Sequence, residues 1–226
     1  ADPQTPYTFD RGTERVELSP WPVPPDNAGE APEFRFDPHV WTSPKRARVQ
    51  VENLGAGLAA AAPDAAASIN AATASYLEDL DALDAWATAS IETVPEGQRV
   101  LFTSHDAFGY FSGDYGIRFI GAALTDFNDQ QDATADHIAS AVQAVKDSGA
   151  VALFAENSNN SKSIEAIARG AGVTPIVGDD ALYGDSLGPD GSAGATYVGS
   201  IIHNVRAVTD AWGGTAPALP ERLAGQ

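Results

Sequence analysis

From Arg99 onward the chain alternates short apolar runs with helical periodicity, and this constrains the fold more than any other feature. Val100-Leu101-Phe102-Thr103 is a β-prone run of the length of a strand buried on both faces. Comparable runs stand at 117–121, 150–154 and 173–177. Between them the spacing predicts helices over 106–113, over 133–146 with Ile138, Val142 and Val145 on one face, and over 161–169. A last helix is expected over 195–212, with Val198, Ile201, Ile202, Val205 and Val208 as its apolar side. Strands joined by helices in this order run parallel, with right-handed crossovers and helices on both faces of the sheet. The expected fold class is therefore α/β: a parallel-sheet lobe with flanking helices over 95–213, followed by a tail over 214–226.

The sequence before this lobe has a different character. Ile69, Ala72, Tyr76, Leu80, Leu83, Ala87 and Ile91 recur by threes and fours, which predicts one long helix. It is read as a connecting strut over 63–94, ended by the turn residues Pro95-Glu96-Gly97. Upstream, Ser43 as N-cap and Pro44 at the first helical position open another helix, with Val49, Val51, Leu54 and Leu58 as its apolar positions. Residues 1–36 hold seven prolines (Pro3, Pro6, Pro20, Pro22, Pro24, Pro25 and Pro32), so extended chain and loop are expected there. Within it a short strand is expected over 13–18, and 22–32 is expected to be an exposed loop. A further polar loop is expected over 125–132.

A formal net charge of −18 argues against nucleic acid and anionic membrane surfaces as partners, since both select Lys and Arg. Zero cysteines exclude a disulfide scaffold, a thiolate zinc site and a cysteine nucleophile. No apolar run reaches the 18 or so residues of a membrane-spanning helix. The chain opens at Ala1 without a charged-then-apolar segment, so any export signal is expected to have been removed.

The chemistry-bearing residues gather at predicted strand ends. His105 follows Val100–Thr103 where strand gives way to helix, with Ser104 or Asp106 as the expected cap. Open parallel sheets bind ligands at that edge. A neutral imidazole there is a zinc ligand or an ordinary loop histidine. Glu156 follows the third strand, and Asp179, Asp180, Asp185 and Asp190 lie in the Gly/Asp-rich loop 178–194 at the same edge. These carboxylates can hold a cation or serve as turn and cap residues. His39 sits in Asp37-Pro38-His39-Val40-Trp41, beside a proline that stiffens the backbone. His137 reads as solvent-exposed and His203 as a structural, partly buried residue. The groups are too far apart for a local metal motif of the HExxH sort, and no GxSxG elbow, Walker loop or GxGxxG follows a predicted strand.

Taken together, several stretches resemble the zinc and manganese solute-binding proteins of bacterial ABC importers, the ZnuA-like and TroA-like group. They are Phe36-Asp37-Pro38-His39-Val40-Trp41; the run Thr103-Ser104-His105-Asp106-Ala107-Phe108-Gly109-Tyr110-Phe111; Ala152-Leu153-Phe154-Ala155-Glu156; Gly184-Asp185-Ser186-Leu187; and Tyr197 with His203-Asn204-Val205. They occur in the family's order. The resemblance implies two α/β lobes joined by a long helix, with the metal between them. It implies His39, His105 and Asp185 as metal ligands, with Glu156 in support. Manganese-type members carry Glu where His105 stands, which implies zinc rather than manganese. It further implies a non-enzymatic monomer that passes Zn²⁺ to an ABC permease in the membrane, from the periplasm or cell exterior, free or lipid-anchored. The family's first ligand is a histidine well upstream of the Asp-Pro-His motif, and residues 1–36 contain none. Residues 1–62 are therefore expected to be the remnant of a first lobe. Two other functions fit the residues: a zinc-dependent hydrolase with Glu156 or Asp106 as general base, and an adhesion or partner-binding module.

Overall fold

The central strands of the sheet, Val100–Thr103 and Ala152–Phe154, are buried on both sides because helices cover both faces. The computed structural model describes residues 12–20, 35–124 and 135–225. The loops expected over 22–32 and 125–132 lie outside the described residues. In chain order the elements are α1 (Pro44–Ala61), α2 (Ala66–Ile91), β1 (Val100–Thr103), α3 (Gly109–Asp114), β2 (Arg118–Ala122), α4 (Ala135–Ser148), β3 (Ala152–Phe154), α5 (Lys162–Ala171), β4 (Thr174–Ile176) and α6 (Tyr197–Ala211). The four strands pair in parallel in the order β2-β1-β3-β4.

Side chains of a strand alternate between faces. Val100, Phe102, Leu153 and Ala155 share one core with Val145 of α4 and Ile164 and Ile167 of α5. Leu101, Ala152 and Phe154 share the other core with Leu80, Leu83 and Trp86 of α2 and Val198, Ile201 and Val205 of α6. The second half of α2 is therefore a core element of the sheet lobe. Its first half, mostly exposed, pairs with α1 as a helical hairpin. The tail is also packed. Leu223 is buried, the Trp86 indole N–H donates to the Pro217 carbonyl at 3.0 Å, and Arg222 pairs with Glu78 and Asp79. No helix among the described residues is long and apolar enough to cross a membrane.

Several local expectations give way to nearby chemistry. No strand forms over 13–18; the N–H groups of Thr13 and Glu14 instead donate to the Asn53 side-chain carbonyl at 2.9 and 3.0 Å. That segment has too few apolar residues to hold a sheet edge, and a side-chain amide satisfies its backbone. Ser43 stands at the N-cap of α1 with Pro44 next, but its hydroxyl donates to Asp114 at 2.7 Å rather than capping. Helix α3 starts at Gly109, with Phe108 at its N-cap, so neither Ser104 nor Asp106 caps it. The Ser104 hydroxyl accepts the Glu156 backbone N–H at 3.1 Å instead. Chain that would have been the first turn of α3 is thereby held at the sheet edge.

Candidate metal centre

The sheet order explains how the candidate residues meet. Strand β3 pairs with β1 through Thr103 and Phe154, so the segments leaving these two strands run side by side. This places Glu156 against His105. Glu156 Oε1 accepts the His105 backbone N–H at 2.9 Å, and Oε2 lies 2.6 Å from His105 Nδ1. The Asn159 amide lies 3.1 Å from the same ring nitrogen, and the Thr103 hydroxyl donates to the His105 carbonyl at 2.6 Å. Both His105 and Glu156 are buried. With Glu156 Oε2 and the Asn159 amide against Nδ1, Nε2 is the ring nitrogen that faces Asp185 and is available to a metal.

His39 is oriented by the same logic from another part of the chain. Asp37 Oδ1 accepts the His39 backbone N–H at 2.9 Å and lies 2.7 Å from His39 Nδ1. Asp37 is itself buried, and its carbonyl accepts the Tyr110 hydroxyl at 2.8 Å. Gly109 lets α3 approach this carboxylate, since a Cβ there would lie 2.9 Å from Asp37 Oδ2. The two imidazoles meet edge to face, with ring centroids 5.3 Å apart.

Asp185 closes the group. Its Oδ2 lies 3.0 Å from His105 Nε2 and its Oδ1 3.6 Å from His39 Nε2. One ligand atom from each of His39, His105 and Asp185 falls within 4.8 Å of the others. His105 Nε2 is buried and faces Asp185. The donor set is two imidazole nitrogens and a carboxylate, each imidazole backed by a carboxylate on its far nitrogen. That is the arrangement by which proteins orient histidines for a metal.

The electrostatics follow from this crowding. Burial alone pulls the His105 imidazolium pKa down, but the hydrogen-bonding carboxylates of Asp185 and Glu156 outweigh it and raise it to about 10. Asp185 is held below the usual carboxylate range, first by its hydrogen bond with His105. Burial, then the Asp37 carboxylate, pushes Asp106 up to about 6.

The other candidates lie elsewhere or do other work. Glu156 is buried with both oxygens against His105, Oε1 on its backbone N–H and Oε2 beside its ring. His137 is partly buried rather than exposed, with Nε2 3.2 Å from the Ala122 carbonyl. His203 Nε2 lies 3.0 Å from the Ala181 carbonyl, and its ring stands edge-on to Tyr183 at 4.8 Å. Residues outside the candidate ligand set also shape the site. Asn204 grips the backbone of Tyr183 from both sides, at 2.8 Å each way. Gly184 is needed for space, since a Cβ there would lie 2.5 Å from Glu156 Oε2. A glycine directly before a candidate ligand aspartate was the available signal for that close approach.

Comparison with known proteins gives a consistent result. The family model ZnuA, described as zinc-uptake complex component A periplasmic, matches residues 6–211. The manganese-binding lipoprotein MntA of Bacillus subtilis is 35% identical over 179 residues, covering 78% of this chain and 58% of that protein. The zinc-binding protein TroA of Treponema pallidum is 31% identical over 206 residues, covering 89% of this chain and 65% of that protein. The chain thus spans 58% and 65% of the lengths of these two relatives. The solved structure of the Treponema pallidum periplasmic zinc-binding protein TroA superposes with a TM-score of 0.72 at 28% identity, over 84% of this chain and 69% of that one.

Proposed function

The chain belongs to the ZnuA family of periplasmic zinc-uptake components, and from that premise we propose that it binds a transition-metal ion, zinc in preference to manganese, through His39, His105 and Asp185. It is a solute-binding protein rather than an enzyme. It works outside the cytoplasm and hands its metal to an ABC permease. The observation that carries this reading is the convergence of three ligand atoms within 4.8 Å, with a buried carboxylate behind each imidazole. The names of the relatives divide between zinc and manganese. The preference for zinc rests on the donors: imidazole suits Zn²⁺, whereas oxygen-rich sites suit Mn²⁺.

Calorimetric titration of Zn²⁺ and Mn²⁺ into the wild type, His105→Ala and His105→Glu tests the reading. The loss in His105→Ala should exceed the roughly 10–100-fold cost of removing a residue that merely supports a ligand. His105→Glu should move the preference toward manganese. Equal zinc affinity for wild type and His105→Ala would refute the site, and tighter manganese than zinc binding by the wild type would refute the metal.

A further inference from the structure

The loop that carries Asp185 is held at several backbone points among the described residues. Asn204 of α6 holds Tyr183, and Asn157 donates to the Ser186 carbonyl at 3.2 Å and its hydroxyl at 2.8 Å. Both tethers belong to the sheet lobe. Trp41 supplies a tether of a different origin, because it lies on the His39 side of the site, before α1. Its indole N–H donates to the Gly184 carbonyl at 3.1 Å, one residue from Asp185. The same ring stands edge-on to the His39 imidazole at 5.3 Å. Its backbone is fixed from below, where the Tyr197 hydroxyl donates to the Trp41 carbonyl at 2.8 Å.

One side chain therefore touches the imidazole of one candidate ligand and hydrogen-bonds the backbone beside another, and we infer that Trp41 is a latch that positions His39 and Asp185 relative to each other and sets how fast metal leaves. This rests on the ligand assignment proposed above. Room for the latch to open is present. The indole borders a cavity of about 260 Å³, lined also by Tyr183, Leu187, Tyr197 and Ile201. If the indole swings toward that space, the Gly184 bond breaks and the Asp185 loop is left on its sheet-lobe tethers. Asp185 then separates from His39 without any change in the core.

The test is the release of Zn²⁺ from the full chain to a chromogenic chelator, for wild type, Trp41→Phe, Asp185→Asn and the double variant. Phenylalanine keeps a ring against His39 and removes only the donor. Release should be about tenfold faster in Trp41→Phe, the worth of one hydrogen bond of about 1.4 kcal/mol. The metal-free melting temperature should stay near wild type. With Co²⁺ as probe, the visible bands should change in intensity as the ligand geometry loosens. A purely structural role would leave these bands alone. The two substitutions should also be non-additive, since the latch acts through Asp185. Release at the wild-type rate from Trp41→Phe, or strict additivity in the double variant, overturns the latch. Wild-type release from Asp185→Asn would instead overturn the ligand assignment. Should Trp41→Phe fold poorly, Tyr197→Phe frees the same segment from its other side and should speed release in the same direction; unchanged release there also overturns the latch.

Discussion

Replacing Glu156 with glutamine tests the electrostatic design of the site, because it pulls metal affinity in two directions at once. In the metal-free protein the His105 pKa stands at about 10, with Asp185 and Glu156 overcoming the effect of burial. A metal bound through His105, as proposed, must therefore displace a proton at neutral pH. At pH 7 the displacement costs about 4 kcal/mol, from about three pH units at roughly 1.4 kcal/mol each. Wild-type log K for zinc should then rise by about one unit per pH unit from pH 6 to pH 9. Glutamine is nearly isosteric and can still accept the His105 backbone N–H, but it carries no charge. It weakens the orientation and basicity of the imidazole, a loss of about 10–100-fold. It also removes one of the two carboxylates that raise the pKa, so the proton leaves more readily. The pH profile of Glu156→Gln should therefore bend at lower pH than that of the wild type and flatten above the bend. The advantage of the wild type should be smallest in acid and grow toward alkaline pH. Competition against a chelator of known proton affinity, at half-unit steps of pH, measures both curves. Parallel curves with a constant ratio would refute the claim that Glu156 acts through the charge state of His105.

Two further substitutions probe the surroundings of the site and the core. Gly184→Ala would place a Cβ 2.5 Å from Glu156 Oε2 and 3.7 Å from His105 Cε1. Glu156 is buried and bonded to His105, so the clash should lower zinc affinity at least tenfold. It should also cost about 1–3 kcal/mol in metal-free denaturant unfolding; wild-type affinity would show that Glu156 has slack. Leu223→Ala should cost about 2–3 kcal/mol in the same unfolding measurement, because this buried side chain closes the core under α2. It should also open the tail to limited proteolysis while leaving zinc affinity unchanged, and a loss of affinity would show that the tail reaches the site.

How far the sequence discloses this molecule depends on the range of the interactions involved. The α/β alternation is legible because each strand and helix is set by its own apolar period, and Val100–Thr103 and Ala152–Phe154 are apolar on both sides for the reason the fold supplies. The long stripe from Ile69 to Ile91 likewise shows a helix. It does not show that Leu80, Leu83 and Trp86 belong to the sheet lobe's core, since periodicity gives a face and not the partner of that face. Helix α3 starts later than the capping chemistry of Ser104 and Asp106 suggests, because the Glu156 backbone N–H claims the Ser104 hydroxyl. At the site, strand-edge position alone left His105 open between ligand and loop residue. The pairing of β1 with β3 supplies the missing term, because it brings in Glu156 from 51 residues away. The Trp41 contact with Gly184 spans 143 residues and has no local signature at all.

The same geometry bears on how the proposed cation site would be assembled before its cation arrives. Three carboxylates, Asp37, Glu156 and Asp185, face two imidazoles in a mostly buried space. Unbalanced, such a cluster would repel itself, and Asp185, the one exposed enough to move, would be driven outward. A proton on His105 offsets part of this repulsion. It makes the ring a monovalent stand-in that holds Asp185 through Nε2 and Glu156 through Nδ1, and the lowered pKa of Asp185 is the counterpart of that attraction. A divalent ion taking the proton's place would meet the proposed ligands already in position, so little ordering entropy would be lost on binding. The expense appears instead as proton displacement, which grows as pH falls. If the proposed ligands hold a metal, the site should give it up on acidification, because the returning proton pairs His105 with Asp185 again.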